Sequence, residues 1–190
     1  FDELGKVTLE MGWMWGASEK RQRNAVKSVE NKQLFKEALD SGKGVLILAP
    51  HIGAWEILGS YLAWHDKPVT SMYRPARMKQ VDALMHSGRS AFGQTLVPTD
   101  SKGVMQVMKA LKQGGISGIL PDQDPKDSGV MAPFFGIPTN TMTLVPKLAQ
   151  KLDVEILFAF AERLSWGRGY KIYFIKAPKD IRSDVTPIAA

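Results

Sequence analysis

Apolar positions along this chain gather into short continuous runs, and between the runs they recur every three or four residues. Residues 45–49, "VLILA", have no polar face, as expected of a strand covered on both sides. Residues 55–65 then read as a helix, 67–75 as a second strand closed by Pro75, and 77–93 as a helix. A short strand over 95–99 precedes a helix over 101–114, with Val104, Val107, Met108 and Leu111 on one side. Residues 115–120 give a further strand. A stretch rich in Pro, Gly and Asp then reads as a loop from 121 to about 140. Residues 141–152 predict a helix, and 154–164 and 169–178 two strands that are antiparallel neighbours.

The first quarter of the chain is less regular. Residues 1–16 are loosely helical, and 18–27 form a basic stretch suited to a solvated face. Residues 28–44 predict a helix with Leu34, Phe35, Ala38 and Leu39 on one side, ended by Gly42 and Gly44. Strands separated by helices at this spacing predict an α/β fold: a largely parallel central sheet with an antiparallel edge pair and helices on both faces. There is no repeat, and residues 1–190 are expected to form a single domain.

Composition narrows the function. With 44% hydrophobic and 23% charged residues, the chain can build a core and is not of the disordered class. It has no cysteine, which excludes disulfides, thiolate metal sites and a cysteine nucleophile. A net charge of +6 favours anionic partners such as phospholipid surfaces, phosphorylated substrates, acidic proteins or nucleic acid, and it equally suits plain solubility. No apolar run approaches the roughly 20 residues that span a bilayer.

Familiar catalytic signatures are missing. There is no G-x-S-x-G elbow, no phosphate loop of the G-x-x-x-x-G-K-[ST] type and no G-x-G-x-x-G. His65 and His86 are not spaced with other ligands for a metal, so zinc catalysis is not expected. His51 remains, placed just after the buried run, with Glu56 five positions on. An imidazole accepts a proton near neutral pH when a carboxylate holds its other ring nitrogen. In one regular helix these two residues would stand about 140° apart around the axis. His51 is therefore expected in the turn past Pro50, with Glu56 early in the following helix and Gly53 allowing close backbone approach. A strand-end histidine beside an unrelated helix-start glutamate fits the spacing too.

Four blocks occur in order: "APHIGAWE" (49–56), "YRP" (73–75), "PDQDPKDSGVMAPFFGIPTNT" (121–141) and "AERLSWGRGYKI" (161–172). Together they resemble the bacterial lipid A biosynthesis acyltransferases, the late lauroyl- and myristoyl-transferring branch of the His-x4-Asp/Glu glycerolipid acyltransferase superfamily. The resemblance implies transfer of a fatty acyl chain from an acyl carrier protein thioester to a hydroxyl of a phosphorylated lipid A precursor. It implies His51 as general base and Glu56 as the acid that orients it, with no cofactor. Arg74 and Arg89 match positions where related enzymes set basic residues near substrate phosphate, and Arg89 reads equally as a surface arginine. Asp122 and Gln123, past the strand at 115–120, suit contacts to sugar hydroxyls, though Asp122 could instead hold its loop. Phe134 and Phe135 would line an acyl channel or fill core, and Arg163 is a further candidate beside a strand end.

The resemblance also implies the cytoplasmic face of a bacterial inner membrane as the working place, and no nucleic acid. It implies an N-terminal membrane anchor and a C-terminal segment outside these residues. Other acceptors stay open, among them a lysophospholipid or a glycolipid such as a phosphatidylinositol mannoside. So does a non-enzymatic basic module that binds membrane or nucleic acid through residues 19–27.

Overall fold

The structure, a computed structural model, describes residues 2–182. Its centre is β2 (Gly44–Leu48), buried along its whole length. On one side β2 pairs in parallel with β5 (Ile116–Ile119), and on the other with β8 (Val154–Arg163). β9 (Tyr170–Lys176) runs antiparallel to β8, and β1 (Val26–Glu30) lies parallel to β9 at the edge. Beyond β5, β3 (Thr70–Tyr73) joins through a bridge from Val69 to Ile116 and pairs in parallel with β4 (Thr95–Pro98). The parallel body and the antiparallel edge pair agree with the sequence pattern.

Alternation along β2 sorts the core into two layers, because successive side chains point to opposite faces. Val45 and Ile47 pack with α3 (Lys32–Asp40) and α4 (Trp55–Ala63), joined by Met14 of α1 (Asp2–Gly16). Leu46 and Leu48 pack with Val107 and Leu111 of α6 (Ser101–Lys112) and with Val145 and Leu148 of α7 (Leu144–Lys151). Helices thus cover both faces. α2 (Glu19–Ala25) is tied to α1 by the fully buried Gln22, whose amide donates to the Met14 carbonyl at 2.6 Å. α5 (Lys79–Ser90) packs on α1 and β4.

Two expectations need correcting. The segment read as basic surface followed by helix contains a strand, β1, before α3 begins. Val26 and Val29 turn toward the core, and Asn31 at φ 52° redirects the chain into the helix. A strand of five residues with two inward valines is too short to outweigh the helical pattern that follows it.

The stretch read as a loop from 121 to about 140 contains a hairpin, β6 (Gly129–Phe134) and β7 (Ile137–Met142). Phe135 and Gly136 form its two-residue turn, both at positive φ (50° and 80°), which is the turn whose twist suits paired strands. Pro133 faces Pro138 across the hairpin, and prolines in both arms argue against strands when only the sequence is read.

Phe35 of α3 and Phe174 of β9 stack at 4.6 Å between centroids and 2° between planes, both fully buried. Replacing Phe35 by alanine is expected to cost about 3–5 kcal/mol. Urea unfolding should show a lower midpoint with an unchanged slope.

Candidate active site

The parallel pairing of β2 with β5 aligns Leu48 with Ile119, and the same offset of 71 positions carries on past the strand ends to His51 and Asp122. Ala49 N–H still donates to the Ile119 carbonyl at 3.0 Å. Pro50 and Pro121 then end the ladder, since neither has an N–H to continue it. Past them, the two strand ends stand side by side, with their side chains free for chemistry.

Asp122 grips His51 twice. Its Oδ2 accepts from the His51 backbone N–H at 2.6 Å, and its Oδ1 lies 2.8 Å from the ring Nδ1. A carboxylate only accepts, so Nδ1 carries the proton and Nε2 is left with a lone pair. Burial pulls the Asp122 carboxyl upward. The two hydrogen bonds and the charge attraction from His51 outweigh it, and its titration falls below the ordinary carboxylate range. Gln123 Nε2 lies 3.3 Å from His51 Nε2, so its amide donates to that lone pair. Trp55 meets the imidazole edge-on at 5.1 Å.

The turn that carries His51 is held from behind. Gly53 has φ 59° and forms a bridge with Ala161 of β8, and a Cβ there would sit 2.1 Å from the Ala161 carbonyl oxygen. Ala54 N–H donates to the same oxygen at 2.8 Å. Only glycine fits this approach. His51, Asp122 and Gln123 open onto a cleft of about 670 Å³, whose walls include Val7 of α1, Ile52 and Trp55. A smaller groove of about 360 Å³ beside α3 and the end of β9 holds none of the predicted residues.

Glu56 is placed otherwise than the sequence reading has it. It lies in the first turn of α4 and is buried, but its carboxylate turns to α5 and α1. Arg89 binds both its oxygens, Nε at 3.2 Å from Oε2 and the terminal nitrogen on Oε1, and Trp15 Nε1 donates to Oε2 at 3.2 Å. Among the described residues no hydrogen bond joins Glu56 to His51. The partner expected at position 56 is supplied by position 122 instead.

The two other arginines separate. Arg163, at the end of β8, binds Glu10 of α1 with Nε 2.8 Å from each oxygen. Beside this pair burial pushes the Tyr170 hydroxyl up to about 12, with the Glu10 carboxylate adding to the effect. Arg74 is exposed just past the carboxyl end of β3, at the same edge of the sheet as His51. No carboxylate partner meets it among the described residues. Sequence reading missed Val7 and Trp55 as cleft walls, and it missed Asp122 as the ring partner. Two prolines that each end an apolar run one residue before a titratable side chain were the available signal.

Because the folded Asp122 titrates below the ordinary range, its stabilisation is present at neutral pH and is lost as pH falls through the folded value. Melting temperature followed from neutral to acid pH should therefore drop more steeply for the natural chain than for Asp122→Asn. Parallel acid limbs would contradict the assignment.

Comparison with known proteins comes to the same family as the four sequence blocks. Residues 1–190 match the family described as bacterial lipid A biosynthesis acyltransferase. A lipid A biosynthesis acyltransferase of Haemophilus influenzae is 29% identical over 127 residues, 66% of this chain and 40% of that protein. A lipid A biosynthesis lauroyltransferase of Escherichia coli is 24% identical over 178 residues, 92% of this chain and 56% of that protein. A phosphatidylinositol mannoside acyltransferase of Mycobacterium tuberculosis is 22% identical over 139 residues, 72% of this chain and 44% of that protein. The chain spans about half the length of the curated relatives it matches.

Proposed function

This chain belongs to the bacterial lipid A biosynthesis acyltransferase family, and we propose that it moves a fatty acyl chain from an acyl carrier protein thioester to a hydroxyl of a phosphorylated lipid A precursor. The observation that carries the reading is the His51 ring, held through Nδ1 by Asp122 with Nε2 turned to the cleft. His51 Nε2 removes the hydroxyl proton as that oxygen attacks the thioester carbonyl carbon. A carbon–oxygen bond forms, the carbon–sulfur bond breaks, and the imidazolium returns the proton to the leaving sulfur. The products are an ester and a carrier thiol. Asp122 fixes the tautomer and stabilises the imidazolium while the proton is held.

In the free state the Gln123 amide occupies the lone pair that the acceptor hydroxyl needs. The incoming hydroxyl displaces it, and the released amide is then placed to donate to the substrate. Arg74, with its charge unmet, is assigned to the acceptor's phosphate, where its fork suits two oxygens. Glu56, Arg89 and Arg163 are assigned to the frame: each is bound inside the protein by a partner of opposite charge. An excess of positive charge also favours an acidic carrier protein and the cytoplasmic face of an inner membrane. The mannoside-acylating relative makes a phosphorylated glycolipid of that kind the second acceptor to try.

The test is the mass of the acceptor lipid, dispersed in detergent, after incubation with acyl carrier protein thioesters. A gain of one acyl unit is expected, lost in His51→Ala. Asp122→Asn should lower kcat by roughly 10²–10⁴ with little change in acceptor KM. Glu56→Gln should instead lower stability by about 3–5 kcal/mol, because it leaves Arg89 without its partner, while the folded fraction keeps its turnover. The opposite pattern, with Asp122→Asn active and folded Glu56→Gln inactive, would return the orienting role to Glu56.

A further inference from the structure

We propose that the Gln123 side-chain amide is the donor that stabilises the oxyanion of acyl transfer, held in place by the base of the β6–β7 hairpin. The inference rests on the acyl-transfer reading above. When the acceptor oxygen bonds to the thioester carbonyl carbon, the carbonyl π pair moves onto the carbonyl oxygen. That pair returns as the carbon–sulfur bond breaks, and the proton held by His51 leaves with the sulfur. A fixed N–H group aimed at that oxygen lowers the barrier, because it need not reorganise when the charge appears.

Position selects Gln123. The attacking oxygen must lie within hydrogen-bond distance of His51 Nε2, and the oxyanion grows on the carbon bonded to it. Three side chains lining the cleft carry N–H groups: His51, Trp55 and Gln123. The His51 ring N–H is spent on Asp122, and Trp55 stands edge-on to the imidazole. Gln123 Nε2 lies 3.3 Å from His51 Nε2, and no other hydrogen bond engages this side chain among the described residues. An amide nitrogen has two N–H groups, so a side-chain rotation carries a donor from the ring nitrogen to the oxygen beside it. Cations are less well placed. Arg89 and Arg163 are bound to Glu56 and Glu10. Arg74 follows β3, which lies beyond β5 and so roughly 10 Å from β2 at the spacing of neighbouring strands.

Both neighbours of Gln123 are pinned. Asp122 is held by two hydrogen bonds with His51. Asp124 Oδ1 accepts from the Lys126 N–H at 2.9 Å and from Asn140 Nδ2 at 2.8 Å. Asn140 belongs to β7, and its amide also donates to the Lys126 carbonyl at 2.6 Å. Room for this carboxamide exists because residue 129 is glycine: a Cβ there would sit 2.0 Å from Asn140 Oδ1. Gln123 therefore hangs on a backbone fixed from both sides, while its side chain keeps a single contact. A donor so mounted is aimed before the charge develops and is still free to turn to it. Asn140 is accordingly a positioning residue that acts through Asp124.

The test compares two acyl carrier protein donors, a thioester and the dithioester in which a weakly accepting sulfur replaces the carbonyl oxygen. With the thioester and a detergent-dispersed acceptor, Gln123→Met should lower kcat by roughly 10²–10³ and leave acceptor KM unchanged. The natural chain should slow on the dithioester, and Gln123→Met should use both donors at nearly the same reduced rate. Asn140→Ala should fall between them in kcat and discriminate the donors less than the natural chain does. Natural kcat in Gln123→Met would overturn the proposal: the amide would only shield the base, or another donor such as the Ile52 or Gly53 backbone N–H would suffice. A raised acceptor KM with unchanged kcat would overturn it too, placing the amide on an acceptor hydroxyl. So would equal discrimination between the donors in the natural chain and Gln123→Met. If the natural chain transfers no acyl group, the acyltransferase reading falls and this one with it. Transfer by the natural chain that Gln123→Met fully retains overturns this one alone.

Discussion

The register between β2 and β5 is the constraint on which the site depends. Parallel strands in a fixed register bring residues 71 positions apart to the same level, and that level is where both strands stop. Sequence-distant groups then meet without any loop having to search for the contact. The cost of ordering His51 and Asp122 is met largely by the buried ladder below them, with Val45, Leu46, Ile47, Leu48 and Ile116 all fully or almost fully buried. A site on this edge inherits the rigidity of the core while remaining open to solvent.

Much of this frame was legible in the sequence because it follows from local pattern. The apolar run at 45–49, the helix spacing of Val107 and Leu111, and the antiparallel pair at the end each betray themselves over a few residues. The His51 turn was legible too, since Pro50 and Gly53 have conformational meanings that do not depend on the rest of the fold. What the residues alone could not show is which strand lies beside β2. Sheet order comes from how helices cross over and pack, and no short stretch of sequence carries it. The ring partner of His51 was therefore sought five residues away in the chain, where a carboxylate was visible, and not across the sheet, where it stands. The hairpin was hidden for a different reason: Pro133 and Pro138 are poor strand residues, tolerated because their missing donors face outward.

The His-x4-Glu spacing still has a physical meaning once the two side chains are seen to part. The turn at Gly53 sends His51 to the cleft, and α4 begins just beyond it, so Glu56 falls in the first turn facing the opposite way. There the helix dipole favours a negative charge, and burial makes its pairing with Arg89 obligatory. Glu56 joins α4 to α5 and, through Trp15, to α1. The start of α4 cannot move without disturbing these contacts, and the start of α4 is what presses Gly53 against Ala161. A carboxylate that never touches the imidazole can thus govern where the imidazole points.

One short loop joins the chemistry to the surface. Within residues 122–126, Asp122 holds one nitrogen of the histidine, Gln123 shields the other, and Asp124 binds the hairpin through Asn140. Asn140 also donates to the Lys126 carbonyl, so the hairpin base is tied to this loop at two points, and in the proposed reaction Gln123 is the group whose displacement frees His51 Nε2. Asp122 has two hydrogen bonds to His51, whereas Gln123 meets the ring through one contact of 3.3 Å among the described residues and is the weaker hold. The arrangement keeps the imidazole oriented at all times and leaves only its lone pair to be uncovered. In the acyl transfer proposed above, that is the property wanted of a base that must act on the acceptor hydroxyl and not on water.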